Sequence, residues 1–424
     1  MLQKPKGTAD ILTPEVNSWQ AVEEILRMMC QVYNVHEIRT PIFERTELFS
    51  RSAGDHSDVV SKEMYTFEDK NKRSMTLRPE GTAGIVRSIV ENKLYASSEG
   101  LQRFYYMGPM FRYEQPQKGR YRQFHQFGVE MVGLESPYVD VEAISLAVTI
   151  SQAIGIEDFT LRINTLGDDQ SRNTYKEALT AYLKPHIKEF CPDCQERFKK
   201  NPLRILDCKI DMKQDAMMDV PEMQDYLSKE AQDHFQQVTS LLSNLDIDFM
   251  IDPRIVRGLD YYNHTVFEIT INENGLGKGA TLCGGGRYNN LVKELGGPDY
   301  PGVGFAFGME RLLLASNPSG MTIDNQIDVY VMPIGEEAKI KALQIVTELR
   351  ANGYVVDTDY QNRSLKSQFK SVDRHKASYA IIMGDEEVKG NYVMIKDTKS
   401  KEQQKIAMDQ IIAYLDEKEG FDHE

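Results

Sequence analysis

Several short stretches bring together side chains able to do chemistry. Strand alternation over residues 122–133 puts Phe124, Gln126, Gly128 and Glu130 on one face. A glycine between two polar residues leaves a space floored by backbone, with an amide and a carboxylate pointing into it. Arg112 and Glu114 share a face beside the loop that precedes this strand. The neighbours are apolar (Phe111, Phe124, Phe127, Val129, Met131, Val132), and unpaired charge is costly in such a setting. A solvated sheet face is the plain alternative. Leu77-Arg78-Pro79-Glu80-Gly81-Thr82 sets a carboxylate and a hydroxyl at a strand-to-helix turn. That turn suits an ammonium group, or simply a helix capped by Thr82 with Glu80 in solvent. Arg257-Gly258-Leu259-Asp260-Tyr261-Tyr262 combines a guanidinium, a glycine and two phenols. The arginine fork suits a phosphate; equally, Arg257 and Asp260 would pair across a turn. Gly284-Gly285-Gly286 admits a ligand close to backbone, or makes a tight turn. Residues 302–311 lack both the dinucleotide fingerprint and the Gly-Lys-Ser/Thr of a phosphate loop. They read as a glycine-rich strand entering a helix, with Arg311 in its first turn.

The elements that must hold these groups follow from periodicity. Val16, Trp19, Val22, Ile25, Leu26 and Met29 predict a helix over 15–33 with one buried stripe, a long helix expected to need the surface of a partner chain. A short strand is expected over 37–42, closed by proline, another over 74–79, and a helix over 82–94. Strands over 102–114 and 122–133 flank a Pro- and Gly-containing loop, which predicts an antiparallel hairpin. From 171 to 252 strand signals fade, and a largely helical insertion is expected. Strand character returns at 265–271. Asn317-Pro318-Ser319-Gly320 reads as a linker. Beyond it, strands and helices alternate, predicting a compact α/β domain of about 100 residues.

Composition bounds the rest. The chain has 424 residues, more than one core usually organises, so several domains are expected. With 41% hydrophobic and 27% charged residues it reads as globular, neither disordered nor fibrous. A net charge of −14 argues against non-specific coating of nucleic acid or an anionic membrane, while leaving room for a local basic surface. Five cysteines are too few for a disulfide framework, and the first residues carry no secretory apolar run. A reduced, cytoplasmic protein is expected. Cys191 and Cys194, with Cys208 and His186 nearby, have a zinc-like first pair. The second pair is irregular, so these read as ordinary thiols and no protein-bound metal is expected.

In this order the motifs resemble class II aminoacyl-tRNA synthetases, and specifically the histidyl-tRNA synthetase family. Arg39-Thr40-Pro41-Ile42-Phe43-Glu44 is similar to motif 1, which builds the class dimer interface. Residues 108–114 through 120–126 resemble motif 2, and 302–311 resemble motif 3. Residues 257–262 and 284–288 resemble the histidine-specific signatures. The resemblance implies an α+β fold: an antiparallel sheet with flanking helices (1–170 and 253–322), a helical insertion (171–252) and a C-terminal anticodon-binding α/β domain (326–424). It implies activation of L-histidine with ATP and transfer to tRNA(His), by a homodimer without membrane or DNA partners. ATP would enter as substrate with Mg2+, and no tightly bound cofactor is implied.

Carried over by residue, the resemblance implies that Arg112 and Arg257 flank the α-phosphate as catalytic groups. Arg112, Glu114 and Arg311 would bind ATP. Glu80, Thr82 and Gln126 would hold the α-amino group. Glu130 and Tyr262 would read the imidazole, with Tyr261 and Tyr288 completing the pocket. Lys118, Arg120 and Arg122 would serve the tRNA acceptor end, although Gln115 stands where some relatives carry arginine. Arg363, Lys366, Lys370 and Arg374 lie at helical spacing opposite Leu365, Phe369 and Val372, and would contact tRNA phosphates. A solvated amphipathic helix has the same pattern. Two rivals remain: a non-catalytic paralogue serving as regulatory subunit of ATP phosphoribosyltransferase, and a synthetase for another amino acid.

Overall fold

A computed structural model describes residues 2–54, 57, 59–96, 100–208, 210–271, 276, 279–316 and 326–419. The chain forms two compact units, Met1–Thr322 and Ile323–Glu424. The expected linker at 317–320 lies outside the described residues.

The first unit is organised by an eight-stranded sheet. Its order is His36–Glu37, Gln102–Phe111, Gln123–Val132, Gly302–Gly308, Ala280–Arg287, Asn263–Ile271, Phe159–Thr165 and Met250–Ile251. All pairings are antiparallel except those of the two short outer strands. The predicted hairpin is present, in register from Gln102 opposite Val132 to Phe111 opposite Gln123. Alternation makes the sheet two-sided. Phe127, Val129 and Met131 join Phe305, Phe307, Phe267 and Ile269 in the main core, beneath the helices Glu15–Val32, Pro137–Ala153 and Lys229–Asn244. Pro137–Ala153 is apolar almost all round because it is buried on most sides. The opposite face carries the site.

Four details differ from the sequence expectation. The strand expected over 37–42 is limited to His36–Glu37, and a separate strand, Phe43–Arg45, joins Ser74–Leu77 and Tyr65–Glu68 in a small sheet. Pro41 lies between them and lacks the N–H a ladder needs. The apolar stripe of the first helix needs no partner chain: Trp19, Val22, Leu26 and Cys30 are buried in its own core. The insertion is also shorter than 171–252. Its separate core runs from Tyr175 to Met223, whereas Phe235, Val238 and Leu242 of Lys229–Asn244 enter the main core. Met250–Ile251 is a strand of the main sheet.

The C-terminal unit has a five-stranded sheet ordered Val356–Thr358, Val329–Ile334, Tyr379–Gly384, Tyr392–Asp397 and Gln403–Ala407. The first three strands are parallel and alternate with the helices Glu336–Ala351 and Leu365–Arg374, as the pattern predicts. The last two add an antiparallel hairpin that the sequence reading did not separate.

Candidate functional site

The exposed side of the main sheet has a floor almost stripped of side chains. Register aligns Gly108 with Gln126, Gly128 with Tyr106 and Ala306, Gly304 with Glu130 and Gly286, and Gly284 with Ala306. Each glycine leaves room for a particular neighbour. A Cβ on Gly128 would overlap the Tyr106 ring, one on Gly304 the Glu130 carboxylate, and one on Gly284 the Arg257 guanidinium. The gap between Gln126 and Glu130 is therefore filled by Tyr106, a residue the sequence reading missed. Its signal was cross-strand: only the hairpin register puts Tyr106 over Gly128.

At one end of this floor lies a buried acid and phenol pocket. Glu80 is 4% exposed and caps the helix Thr82–Glu91 with its own carboxylate, accepting from the amides of Thr82 (2.7 Å) and Ala83 (2.8 Å). Thr82 is thus not the cap. Its hydroxyl turns inward and donates to Glu130 Oε1 at 2.6 Å. The other Glu130 oxygen accepts from Tyr288. The phenol that meets Glu130 is therefore Tyr288. Tyr261 packs against both Tyr262 and Tyr288, its ring tilted at 4.5 Å from the first and edge-on at 5.7 Å from the second. Burial, and after it the nearby Glu80 charge, push the Glu130 carboxyl up to about 8 against the two hydroxyl donors. Burial raises Glu80 as well.

The other end is a cationic cleft of about 220 Å³, lined by Arg112, Arg120, Arg257 and Arg311 together with Gln126 and Glu114. Arg257 pairs with Glu268, not with Asp260, whose carboxylate accepts from Asn201. Arg112 is braced by the Pro79 carbonyl at 2.9 Å and lies over the Phe124 ring. Arg311 donates to the carbonyls of Gly119 and Thr281, holding the motif 2 loop against the cleft. Glu310 fixes the same strand by accepting from the His125 amide at 2.9 Å. Among the described residues, two buried atoms in this cleft have no partner: Gln126 Oε1, an acceptor, and Arg257 Nε, a donor. Buried polar atoms are nearly always satisfied, so a ligand with both a donor and an acceptor fits here.

Beside the floor, Arg287 and Asp140 form a pair with fully buried side chains. Burial alone would raise the Asp140 carboxyl, but Arg287 holds it at about 2. Arg287 also donates to the Ser136 carbonyl and to Asn289, which anchors the strand that delivers Tyr288. Breaking a buried pair leaves an uncompensated charge, so Arg287→Met is expected to cost about 3–5 kcal/mol in chemical denaturation. A loss below about 1 kcal/mol would mean that water reaches the site.

Not every sequence candidate stands where the pattern suggested. Arg120 is paired with Glu114 at 3.2 Å and lines the cleft, while Lys118 is exposed on the loop. In the C-terminal unit, Lys366, Lys370 and Arg374 are exposed on Leu365–Arg374. Arg363 precedes that helix and is spent internally on Asp359, Ser371 and Tyr330. Leu365 is 38% exposed and so does not join Val372 in the core. Glu268 and Asp140 were missed; each is an acidic residue in a largely apolar stretch, with no local signal of its partner.

Comparison with known proteins agrees with this geometry. Residues 7–312 match the family "Histidyl-tRNA synthetase", and residues 328–418 match "Anticodon binding domain". The histidine–tRNA ligase of Lysinibacillus sphaericus is 50% identical over 97% of this chain and 98% of its own. That of Geobacillus sp. is 50% identical over 98% and 99%. The crystal structure of apo Staphylococcus aureus histidyl-tRNA synthetase is 41% identical, with a TM-score of 0.83 over 98% of this chain and 100% of that one.

Proposed function

The chain belongs to the histidyl-tRNA synthetase family, and from that premise we propose how its residues divide the work. The activity is histidine–tRNA ligation: histidine and ATP form histidyl-adenylate and pyrophosphate, and histidine then passes to the terminal adenosine of its tRNA. In the first step a carboxylate oxygen attacks the α-phosphorus and pyrophosphate leaves. Two anions must approach each other, so positioning and fixed positive charge lower the barrier, with no protein nucleophile.

Arg112 and Arg257 hold the α-phosphate from opposite sides, and Arg311 takes the distal phosphates with Glu114 at the cleft edge. Arg257 is suited to this because Glu268 fixes its guanidinium while Nε keeps a free donor. The histidine ammonium lies between Gln126 Oε1 and the Glu80 and Thr82 oxygens. The imidazole enters the pocket of Glu130, Tyr261, Tyr262 and Tyr288. The observation that carries this reading is the pair of orphaned atoms, Gln126 Oε1 and Arg257 Nε, in one cleft. Mg2+ arrives on the ATP phosphates; Glu310 and Glu114 are already engaged with His125 and Arg120.

Exposed Ile42, Phe43 and Phe67 next to motif 1 support a homodimer. Among the described residues no helix is long and apolar enough to cross a membrane, which supports a cytoplasmic location. The regulatory-subunit reading is weaker, since both arginines and the whole pocket are retained. The deciding experiment is histidine-dependent exchange of labelled pyrophosphate into ATP without tRNA. Exchange with histidine alone is expected, and none with any amino acid would favour the regulatory role.

Lys366, Lys370 and Arg374 supply phosphate contacts for tRNA. Reversing all three to glutamate is expected to raise the tRNA KM about tenfold or more at physiological salt. Pyrophosphate exchange is expected to stay unchanged. A tRNA KM within twofold of the native value would remove this surface from the interface.

A further inference from the structure

The separate core between Tyr175 and Met223 is held by the helices Asp169–Leu183 and Pro192–Lys200 and a run of short 3-10 turns. Among its described residues there is no strand. Small irregular cores of this kind generally need a staple. At its centre the ligand atoms of Cys191, Cys194, Cys208 and Asp211 all lie within 4.8 Å of one another. Read as sequence, the cysteines look like ordinary thiols because only one Cys-x-x-Cys is visible. The second arm ends on a carboxylate, with Cys208 and Asp211 repeating the step from Cys191 to Cys194.

Three observations point to a cation. The first is spacing: Cys191 and Cys208 Sγ are 3.8 Å apart, and Cys208 Sγ is 3.5 Å from Asp211 Oδ2. A tetrahedron with Zn–S of about 2.3 Å and Zn–O of about 2.0 Å has S–S and S–O edges of about 3.8 and 3.5 Å. A disulfide would need about 2.05 Å. The second is charge. Asp211 is 1% exposed, and its oxygens accept from the Cys191 amide, Gln214 and the Cys208 sulfur, none of which brings a positive charge. Among the described residues no Lys, Arg or His pairs with it, and a buried charge without a counter-ion is costly. The third is the backbone. The Asp211 amide donates to Cys208 Sγ at 3.4 Å, an N–H···S contact that a metal-bound sulfur accepts better than a neutral thiol, which is a weak acceptor.

We propose that Cys191, Cys194, Cys208 and Asp211 form a structural Zn2+ site. Three soft thiolates select zinc over magnesium, and four protein ligands leave no open position for chemistry. His186 is outside the set, its ring against Tyr182. The site also supports the cleft. Helix Pro192–Lys200 starts at the Cys191–Cys194 step and runs to Asn201, whose Nδ2 donates to Asp260 at 2.9 Å. Asp260 belongs to the segment that carries Arg257, Tyr261 and Tyr262.

The test is metal analysis of the full chain, expressed with zinc present and purified under reducing conditions. About one zinc per chain is expected, with loss of zinc from Cys208→Ser and at least about tenfold weaker zinc in Asp211→Asn. To separate loss of metal from misfolding of Cys208→Ser, apo chain made with a chelator is also titrated with Co2+. Thiolate-to-cobalt charge-transfer bands saturating at one equivalent are expected, and chelation is expected to raise the histidine KM severalfold. Absence of both zinc and cobalt uptake would overturn the proposal. So would full zinc retention in a folded Cys208→Ser chain, or a Cys191–Cys208 disulfide found by mass spectrometry.

Discussion

Replacing Glu130 with glutamine is expected to raise the histidine KM by about 100-fold or more while the ATP KM moves less than about threefold. The asymmetry follows from place. Glu130 is 1% exposed in the acid and phenol pocket, whereas the orphaned cleft atoms and arginines lie elsewhere on the floor. Glutamine keeps the volume that Gly304 makes room for, so the loss reports chemistry rather than packing. It replaces one acceptor oxygen with a donor, next to two hydroxyls that already donate to Glu130. A pocket discriminates most strongly when its own polar groups would be left unpaired.

The pH dependence gives a second readout of the same residue. Burial lifts the Glu130 carboxyl to about 8, so at pH 7 the empty pocket is mostly protonated. An imidazole N–H needs the carboxylate as acceptor, and binding must expel that proton. Histidine affinity is therefore expected to strengthen as pH rises from 7 through about 8 and to level off only about one unit above that value. Glu130→Gln is expected to lack this limb. A flat native profile, or equal KM changes for histidine and ATP, would remove Glu130 from imidazole recognition.

Arg257→Met is expected to lower the rate of pyrophosphate exchange by about 10³-fold, with a much smaller change in histidine KM. Removing the guanidinium takes preorganised charge away from where the α-phosphate gains it, and leaves Glu268 facing the phosphates. Methionine keeps most of the side-chain length over Gly284. The double variant Arg257→Met with Glu268→Gln separates the two effects: recovery of about tenfold is expected from removing the stranded carboxylate. Arg257→Lys keeps charge but loses the fork, and is expected to fall between. An Arg257→Met rate within about tenfold of native would place the α-phosphate elsewhere.

Local chemistry made much of this legible from sequence. Alternation located the hairpin and set Gln126, Gly128 and Glu130 on one face, and the strand and helix alternation of the C-terminal unit emerged from periodicity. Motif order identified the family, because side-chain type and spacing are properties of the chain itself. Only the tertiary structure decided which partner each charged group takes. Arg257, in the loop before the strand Asn263–Ile271, finds Glu268 on that strand, Glu130 finds Tyr288 from 158 residues away, and Arg363 turns inward instead of toward a phosphate. It also decided that Tyr106 fills the space over Gly128, and that the second arm of the cysteine cluster ends on Asp211. Pairing across a sheet or between loops is a three-dimensional register, and periodicity along one chain carries no record of which distant residue the register brings opposite.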